Sequence, residues 1–255
     1  MLEGKNGVIF GAANHRSIAW QTAKVLSAAG ARLAINYQDS RFEQKLKKLA
    51  EDDLKNESVF YLCDVRDDSQ IEDLYLRLGD TFGNLDFIIH SIAFAAKEDL
   101  EGQFVKTSRS GFLTAMETSV YSLPAIVRPA LHLMKNGGSI ITLTYLASQR
   151  VFPNYNVMGV AKAALESSVR YLAAELGENN IRVNALSPGP VNTLSARGIK
   201  GFSGFLGYVA EKTPLRRNIE GAEIGKAALF LCSDLSSGIT GEIIYVDAGY
   251  HILGS

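Results

Sequence analysis

A tyrosine and a lysine lie seven residues apart at Tyr155 and Lys162, and a second tyrosine, Tyr145, precedes Tyr155 by ten residues. At about 100° per residue, seven residues bring a helix almost back to its starting azimuth, so the phenol and the ammonium share one face about 10 Å apart. A nearby lysine favours the phenolate and makes the hydroxyl a better proton donor. The pair suits a hydride-transfer site. The alternative is that Tyr155 packs at a helix start and Lys162 is a solvated surface charge.

The composition indicates one large globular core. The chain has 255 residues, of which 47% are hydrophobic, and a formal net charge of -1. A chain of this length buries roughly 70 to 75% of the surface that its unfolded form exposes, so we expect a single domain over residues 1–255. The small net charge gives no electrostatic reason to expect nucleic acid or an anionic membrane as a partner. Because the first residues lack a basic, apolar leader and no apolar run reaches about 18 residues, we expect a soluble cytoplasmic protein.

The cysteines and histidines show no metal-ligand spacing, and no metal is predicted. Cys63 and Cys232 lie far apart in apolar contexts, which is typical of buried free thiols in a reducing compartment. The histidines are His15, His90, His132 and His251.

Short apolar, β-branched runs alternate with helical patterns along the whole chain. This alternation is typical of repeated βαβ units and predicts a single-domain α/β Rossmann fold, in which helices cover both faces of a doubly wound, seven-stranded parallel sheet. The predicted strands are 7–10, 32–36, 58–62, 85–90, 139–144, 182–186 and 243–246. The predicted helices are 17–29, 42–51, 69–82, 111–134, 155–176 and 222–231.

The least regular stretch, residues 188–213, follows the C-terminal end of a predicted strand. Ligands of open α/β sheets bind at that edge, so this stretch is a candidate substrate-binding lid. The alternative is a small helix packed on the core, which its apolar residues alone do not distinguish from a lid.

The first predicted strand ends in a turn at Gly11 that opens a helix near Ser17. Only Gly11 stands where the three-glycine dinucleotide motif has a glycine, so this motif alone is weak. Backbone amides at the helix start can still bind pyrophosphate, and the Ser17 hydroxyl adds a donor. The alternative is an ordinary strand-to-helix turn capped by Ser17.

Three later strand ends bring polar or small groups to the same edge of the sheet. After the second strand, an acidic residue commonly binds the ribose 2′-hydroxyl of NADH, and an arginine accommodates the 2′-phosphate of NADPH. Here Gln38 is neutral and Arg41 follows three residues later. NADH is therefore favoured, and NADPH is left open. After the third strand, Asp64 is placed to accept from the adenine amino group and Val65 to pack on the ring. The fourth strand runs into residues 90–93, whose small side chains let the backbone approach a ribose. Together these ends predict a dinucleotide site.

Six motifs cover nearly the whole chain: Gly11-x5-Ser17-Ile18-Ala19, residues 90–95 (HSIAFA), Tyr145, residues 155–162 (YNVMGVAK), residues 181–185 (IRVNA) and residues 233–238 (SDLSSG). Together they resemble the NADH-dependent enoyl-acyl-carrier-protein reductases of bacterial fatty acid synthesis, a divergent branch of the short-chain dehydrogenases/reductases.

One position separates this branch from the carbonyl-reducing branch of the same superfamily. That branch has its tyrosine four residues before the lysine, where this chain has Met158, and a methionine donates no proton. The tyrosine has moved back to Tyr155, which suits a substrate whose electrophilic carbon and developing oxyanion are separated by conjugation.

The resemblance implies reduction of a trans-2-enoyl thioester on acyl carrier protein, the last step of the fatty acid elongation cycle. Hydride from NADH goes to the β-carbon, enolate charge appears on the thioester oxygen, and the α-carbon is protonated. Tyr155 is expected to donate to that oxygen and Lys162 to hold the nicotinamide ribose. Tyr145 is expected to orient the substrate, although it could instead close the core above Leu143. A homotetramer is also implied.

The strand-end loops and the resemblance together give two sets of expected contacts. The cofactor contacts are Gly11, Ser17, Ile18, Gln38, Asp64, Val65, Ser91, Ile92, Ala93, Lys162, Val191 and Thr193. The substrate contacts are Phe94, Ala95, Tyr145, Tyr155, Ala196, Ile199, Phe202 and Phe205.

Two other functions stay open on the sequence alone. A ketone or alcohol oxidoreductase of the carbonyl-reducing branch is disfavoured by Met158. A non-catalytic module that senses a dinucleotide is disfavoured because both Tyr155 and Lys162 are retained.

Overall fold

Seven parallel strands form one sheet in the computed structural model, which describes residues 1–197 and 201–254. Their order is β3-β2-β1-β4-β5-β6-β7, so the chain starts in the middle, winds to one edge and then crosses to the other half. This order confirms the predicted doubly wound Rossmann fold, whose switch point lies between β1 and β4. The strands are β1 Asn6–Phe10, β2 Arg32–Tyr37, β3 Ser58–Leu62, β4 Phe87–His90, β5 Gly138–Leu143, β6 Ile181–Pro188 and β7 Ile243–Val246.

Helices cover both faces of the sheet. In the described part of the chain they are α1 Ile18–Ala28, α2 Glu43–Asp53, α3 Asp68–Phe82, α4 Lys97–Leu100, α5 Arg109–Met116, α6 Ser122–Ala130, α7 Asn156–Leu176, α8 Leu194–Arg197, α9 Phe202–Lys212 and α10 Gly221–Cys232. Buried residues of α1, α2 and α10 form the core on one face, and those of α3, α6 and α7 form the core on the other. The sheet is therefore enclosed between two hydrophobic layers.

The two central strands fix the position of the loops that follow them. Both β1 and β4 are buried along their whole length, as parallel strands covered on both faces are. Gly7 on β1 pairs with Phe87 on β4, and a Cβ at Gly7 would lie only 1.9 Å from the Phe87 ring. This close packing sets β1 against β4, and it thereby places the turn at Gly11 beside residues 90–93.

The predicted continuous helix over 111–134 is wrong. A π-helical segment, Glu117–Tyr121, separates α5 from α6, and α6 ends at Ala130. Pro124 supplies the reason, because it has no N–H to donate to the carbonyl of Val120 and its ring crowds that carbonyl. A turn widened in this way is common at functional sites, and this one packs against α7.

The stretch 188–213 contains more helix than its sequence suggests. It includes α8 and α9, and Val209 on α9 is only 1% exposed while Phe202 is 9% exposed. Neither side chain belongs to the hydrophobic layers that enclose the sheet. Whether the stretch acts as a lid or as a helix packed on the core stays a prediction.

None of the helices in residues 1–197 and 201–254 combines the length and the apolar character that spanning a bilayer requires. Within the same residues, no group of three or more histidine, cysteine or acidic side chains is arranged to hold a metal ion.

Candidate active site

The turn after β1 lies directly against the end of β4. Gly11 has φ +94°, and a Cβ there would lie 2.0 Å from the carbonyl oxygen of Ser91. Only glycine allows both this backbone conformation and this approach. The predicted cofactor residues Gly11 and Ser91 are thus neighbours, and the turn leads straight into the amino end of α1.

Ser17 caps α1 as the alternative interpretation expected. Its Oγ accepts from the backbone N–H of Trp20 at 3.3 Å and donates to the carbonyl of Asn14 at 2.8 Å. The buried Asn14 side chain in turn accepts from the N–H of Arg16 at 2.8 Å. These bonds hold the turn in shape. Ile18, the first residue of α1, is half-buried beside it.

The ends of β2 and β3 meet through their polar side chains. Gln38 donates from Nε2 to Asp64 Oδ2 at 3.2 Å, and Arg66 forms an ion pair with the same carboxylate at 2.6 Å. The hydrogen bond from Arg66 is the main reason that the pKa of Asp64 falls to about 2, so Asp64 is an ionised acceptor at neutral pH. Val65 is only 7% exposed and packs into the core.

A second ion pair lies at the end of β2. Arg41 Nη2 is 2.6 Å from Asp39 Oδ2, and the hydrogen bond from Arg41 lowers the pKa of Asp39 to about 2. The side chain of Asp39 also accepts from the backbone N–H of Arg41 at 2.9 Å. The positive charge that could attract a 2′-phosphate is therefore already paired.

A fully buried histidine ties β4 to its neighbours. His90 Nδ1 is 2.8 Å from Thr142 Oγ1, and its Nε2 is 2.8 Å from Ser122 Oγ. Because Ser122 donates its own proton to the carbonyl of Thr118, its oxygen accepts from His90 Nε2–H. Burial is the main cause that lowers the pKa of His90 to about 3, with the charge of Lys162 second. A neutral imidazole thus locks β4, β5 and α6 together beneath the site.

The residues after β4 run along the open edge of the sheet. Ser91, Ile92 and Ala95 are half-buried, whereas Ala93 is exposed and Phe94 is 53% exposed. The N–H of Phe94 donates to Ser119 Oγ at 3.0 Å, and Ser119 belongs to the π-helical segment. The widened turn therefore supports this part of the edge.

Lys162 is buried, so its interpretation as a solvated surface charge is wrong. It is 4% exposed on α7, and its Nζ donates to the carbonyl of Leu143 at the end of β5, at 2.6 Å. Burial lowers the pKa of Lys162 from 10.5 to about 8, and the charge of Glu166 opposes this change. The ammonium is therefore held at the carboxyl edge of the sheet with a pKa near the neutral range.

The two tyrosines contact each other near the start of the helix that carries this lysine. Tyr155 stands immediately before α7, and the rings of Tyr155 and Tyr145 are 5.1 Å apart at 63°, an edge-to-face contact. Burial raises the pKa of both phenols, and in Tyr145 the neighbouring Tyr155 adds to the rise. Both hydroxyls are therefore neutral proton donors. The contact of Tyr145 with Tyr155 places it in the candidate site.

Further aromatic rings extend the site away from Tyr155. Phe152 lies 5.1 Å from Tyr145 and 5.8 Å from Phe205 on α9, and Phe205 lies 6.5 Å from Tyr250 near the C-terminal end. These centroid distances describe a continuous apolar wall between the tyrosine pair and α9.

The remaining expected contacts follow β6. Val191 and Thr193 are half-buried, and Thr193 Oγ1 accepts from the N–H of Ala196 at 3.1 Å, which caps the short helix α8. Ala196 is half-buried, while Ile199 lies outside the described residues.

Comparison with known proteins decides the family. The family model for enoyl-(acyl carrier protein) reductase matches residues 11–251. The chain belongs to the enoyl-acyl-carrier-protein reductase family. The family prediction made from the motifs is thereby confirmed.

Two similar members of the family align with this chain over nearly the whole length of both proteins. A reductase of Nostoc sp. named for NADH is 51% identical over 99% of this chain and 98% of its own length. One of Staphylococcus aureus named for NADPH is 50% identical over 99% of this chain and 98% of its own.

Solved structures of the family have the same fold. The Bacillus cereus enzyme, crystallised with NADP+ and an indole naphthyridinone, superposes with a TM-score of 0.97 at 49% identity, covering 100% of this chain and 99% of that one. The Anaplasma phagocytophilum enzyme in complex with NAD gives 0.95 at 47% identity, with 100% and 96% coverage.

Sequence reasoning about this reductase missed three residues that the structure brings to the aromatic wall or to Lys162. Phe152 precedes the motif by only three residues, and an aromatic so close to Tyr155 was a usable signal. Tyr250 gave none, because it comes from the opposite end of the chain and only folding brings it to Phe205. Glu166, four residues after Lys162, carried the helical spacing but was left out.

The buried charge of Lys162 predicts a specific pH dependence of stability. The pKa in the folded reductase, about 8, is below the ordinary 10.5, so between these values the unfolded chain binds more protons and stability rises with pH. We expect the free energy of unfolding of the parent to rise by roughly 2 to 3 kcal/mol relative to Lys162→Met across this range.

Urea unfolding at pH 7, 8, 9 and 10 measures this difference, since both proteins share every other titrating group. The exposed Lys48, changed to methionine, serves as the control and should give a constant offset from the parent. A constant offset for Lys162→Met as well would contradict the buried charge.

Proposed function

We propose that this chain reduces the trans-2 double bond of enoyl-acyl-carrier-protein thioesters, the last step of the fatty acid elongation cycle, with NADH as the reductant. The observation that carries the proposal is the pairing of Tyr155 with Tyr145 at the carboxyl edge of the sheet, with Lys162 buried on the same helix. The similar full-length relatives are named for this reaction. The predicted enzyme class is thereby confirmed.

The residues at the sheet edge suit a dinucleotide. The turn at Gly11 has the open backbone that a close approach requires, because a side chain there would collide with Ser91. The amino end of α1 offers backbone amides to a pyrophosphate. The ionised Asp64 is proposed to accept from an adenine amino group in exchange for part of its present bonding to Gln38 and Arg66. Ile92, Val191 and Thr193 are proposed to contact the nicotinamide half. When bound, NADH supplies the hydride that adds to the β-carbon of the substrate.

Tyr155 is the proposed donor to the thioester oxygen. Its hydroxyl is neutral because burial raises its pKa, so a hydrogen bond to the developing enolate stabilises charge that appears only during the reaction. It is also the proposed route of the proton that reaches the α-carbon. Met158, one turn into α7, donates no proton and is 5% exposed among apolar side chains. This arrangement disfavours the carbonyl-reducing alternative.

Lys162 is proposed to bind the hydroxyls of the nicotinamide ribose. Its ammonium has three protons, and the carbonyl of Leu143 accepts only one of them at 2.6 Å. The remaining donors are available to a ligand, and the same bond fixes the position of the ammonium relative to Tyr155. Its positive charge also lowers the cost of negative charge on a nearby phenol.

The aromatic wall is proposed to line the acyl chain. Phe205 and Phe202 on α9 would close over it together with Ala196, while Tyr145 orients the thioester end. Residues 188–213 would then act as the lid. Phe94 and Ala95 supply the other wall, and the exposure of Phe94 gives that ring an apolar surface for a ligand to cover.

We also propose a cytoplasmic homotetramer that receives its substrate from acyl carrier protein. The support is a set of exposed apolar side chains on α5 and α7, which a monomer would leave in water. They are Phe112, Leu113 and Val160.

Replacing the proposed donor tests the reaction. We expect Tyr155→Phe to lower kcat with crotonyl thioester by roughly 10- to 100-fold, because one hydrogen bond to the enolate oxygen is lost. NADH affinity, measured by fluorescence titration, should change less than about threefold, since no cofactor contact is removed.

The matched control is Tyr171→Phe, the same change at a 78% exposed position of the same helix. It should leave both measurements unchanged. Full turnover in Tyr155→Phe would remove Tyr155 from its proposed role, and parallel loss of NADH binding would indicate a structural effect instead.

The paired charge at the end of β2 predicts the cofactor preference. Asp39→Asn keeps an oxygen for the backbone N–H of Arg41 but removes the carboxylate that neutralises its guanidinium. The freed charge should favour a 2′-phosphate and raise the ratio of kcat/KM for NADPH over NADH by roughly tenfold.

Steady-state kinetics with both nucleotides measures this ratio. Asp73→Asn, which removes the partner of Arg77 on α3, is the control and should leave the ratio unchanged. An unchanged ratio in Asp39→Asn would mean that Arg41 does not reach the 2′ position.

A further inference from the structure

Glu166 is a buried carboxylate that the proposed reaction does not use. It is 5% exposed on α7, four residues after Lys162, and its Oε1 accepts from Thr144 Oγ1 at 2.7 Å. An acidic side chain is almost never buried unless its charge is paired or hydrogen-bonded. Its position therefore calls for a partner beyond Thr144.

Two hydrogen bonds between α7 and the end of β5 indicate that the partner of Glu166 is Lys162. Lys162 Nζ donates to the carbonyl of Leu143, and Glu166 accepts from the side chain of Thr144, the next residue. Residues four apart lie on the same face of a helix, one turn above each other. Two consecutive residues at the end of β5 thus anchor both charges, although no ion pair within 4.0 Å joins them in the described structure.

Four other titratable groups in this region carry no charge at neutral pH, whereas Asp247 after β7 is bound to His251 and Arg150 to the carbonyls of His251 and Leu253. His90 on β4 is neutral because burial lowers its pKa to about 3. Burial raises the pKa of Tyr145 and Tyr155. Burial is also the main cause that raises the pKa of Tyr245 on β7, and the charge of Glu166 adds to this rise. The charge of Glu166 is the one that opposes the effect of burial on Lys162 and favours its protonated form.

The other charged residues on elements packed against α7 are either hydrogen-bonded to other groups or exposed to solvent. Arg182 on β6 is bound to the carbonyls of Leu231 and Ser233. Asp99 on α4 is buried and accepts from the N–H of Ser108 at 2.8 Å. The exposed charged residues on α4, α5, α6 and the π-helical segment are Lys97, Glu98, Arg109, Glu117 and Arg128.

We infer that Glu166 is a positioning residue, which rests on the proposed function: its buried carboxylate, held by Thr144, keeps Lys162 protonated where its ammonium is bound at the end of β5. A neutral lysine would lose one donor and the positive charge that assists the phenol. Because burial alone favours the neutral lysine, the site needs an opposing charge to hold the proton through the neutral pH range.

The variant Glu166→Gln separates charge from shape. A glutamine oxygen can still accept from Thr144, so the anchor stays while the charge is lost. We expect the pKa of Lys162 to fall by roughly one unit, measured by NMR titration of lysine labelled with 13C at Cε in the ligand-free protein. The Lys162→Met spectrum assigns the signal. Glu166→Asp, which keeps the charge, should recover at least half of the change.

The pH profile of kcat/KM with crotonyl thioester provides the second readout. Its alkaline limb should move to lower pH by roughly one unit in Glu166→Gln, with activity at pH 6 within about twofold of the parent. Glu175→Gln, at an exposed position of the same helix, should change neither readout.

Three outcomes distinguish the claims. An unchanged Lys162 titration in Glu166→Gln overturns the inference, and so does an activity loss that is equal at every pH. A parent protein that reduces no enoyl thioester overturns the proposed function, while the NMR titration still decides whether Glu166 holds the lysine proton.

Discussion

The hydrogen bond from Lys162 to the carbonyl of Leu143 is the constraint on which the site depends. An ammonium buried to 4% exposure loses most of its hydration, and that loss lowers its pKa to about 8. Burial is tolerated because the end of β5 supplies an acceptor and the next turn of α7 supplies Glu166. Helix and strand are thereby joined at the edge where ligands of such sheets bind. Tyr155, at the start of the same helix, is positioned by that junction.

The same edge is supported from below by neutral hydrogen bonds rather than by charge. His90 links β4 to Thr142 on β5 and to Ser122 on α6, and Ser119 in the widened turn receives the N–H of Phe94. Since these groups are satisfied by one another, they hold the edge rigid at little electrostatic cost. A rigid edge is what a reaction that depends on the position of one phenol requires.

The sequence predicted those parts of the reductase whose signals are local. The bounds of β3 and β7, the half-buried edge strands, agree with prediction because each is a short run of aromatic and aliphatic residues with polar residues on both sides. Ser17 capped α1 as its residue type allows. The helix over 111–134 was wrong because the effect of Pro124 on the preceding turn was not considered. Tyr250 and Phe152 could not be joined to Phe205 from sequence, because their contacts arise only when three distant segments fold together.

The central claim is that the displaced tyrosine selects a conjugated thioester instead of a ketone. The most direct measurement is NADH oxidation by the purified parent protein with crotonyl thioester and, separately, with a 3-ketoacyl thioester of the same length. The account predicts turnover with the enoyl substrate and at least about a hundredfold lower kcat/KM with the ketone, since Met158 stands where a carbonyl reductase needs its proton donor. Preferred reduction of the 3-ketoacyl thioester would contradict it.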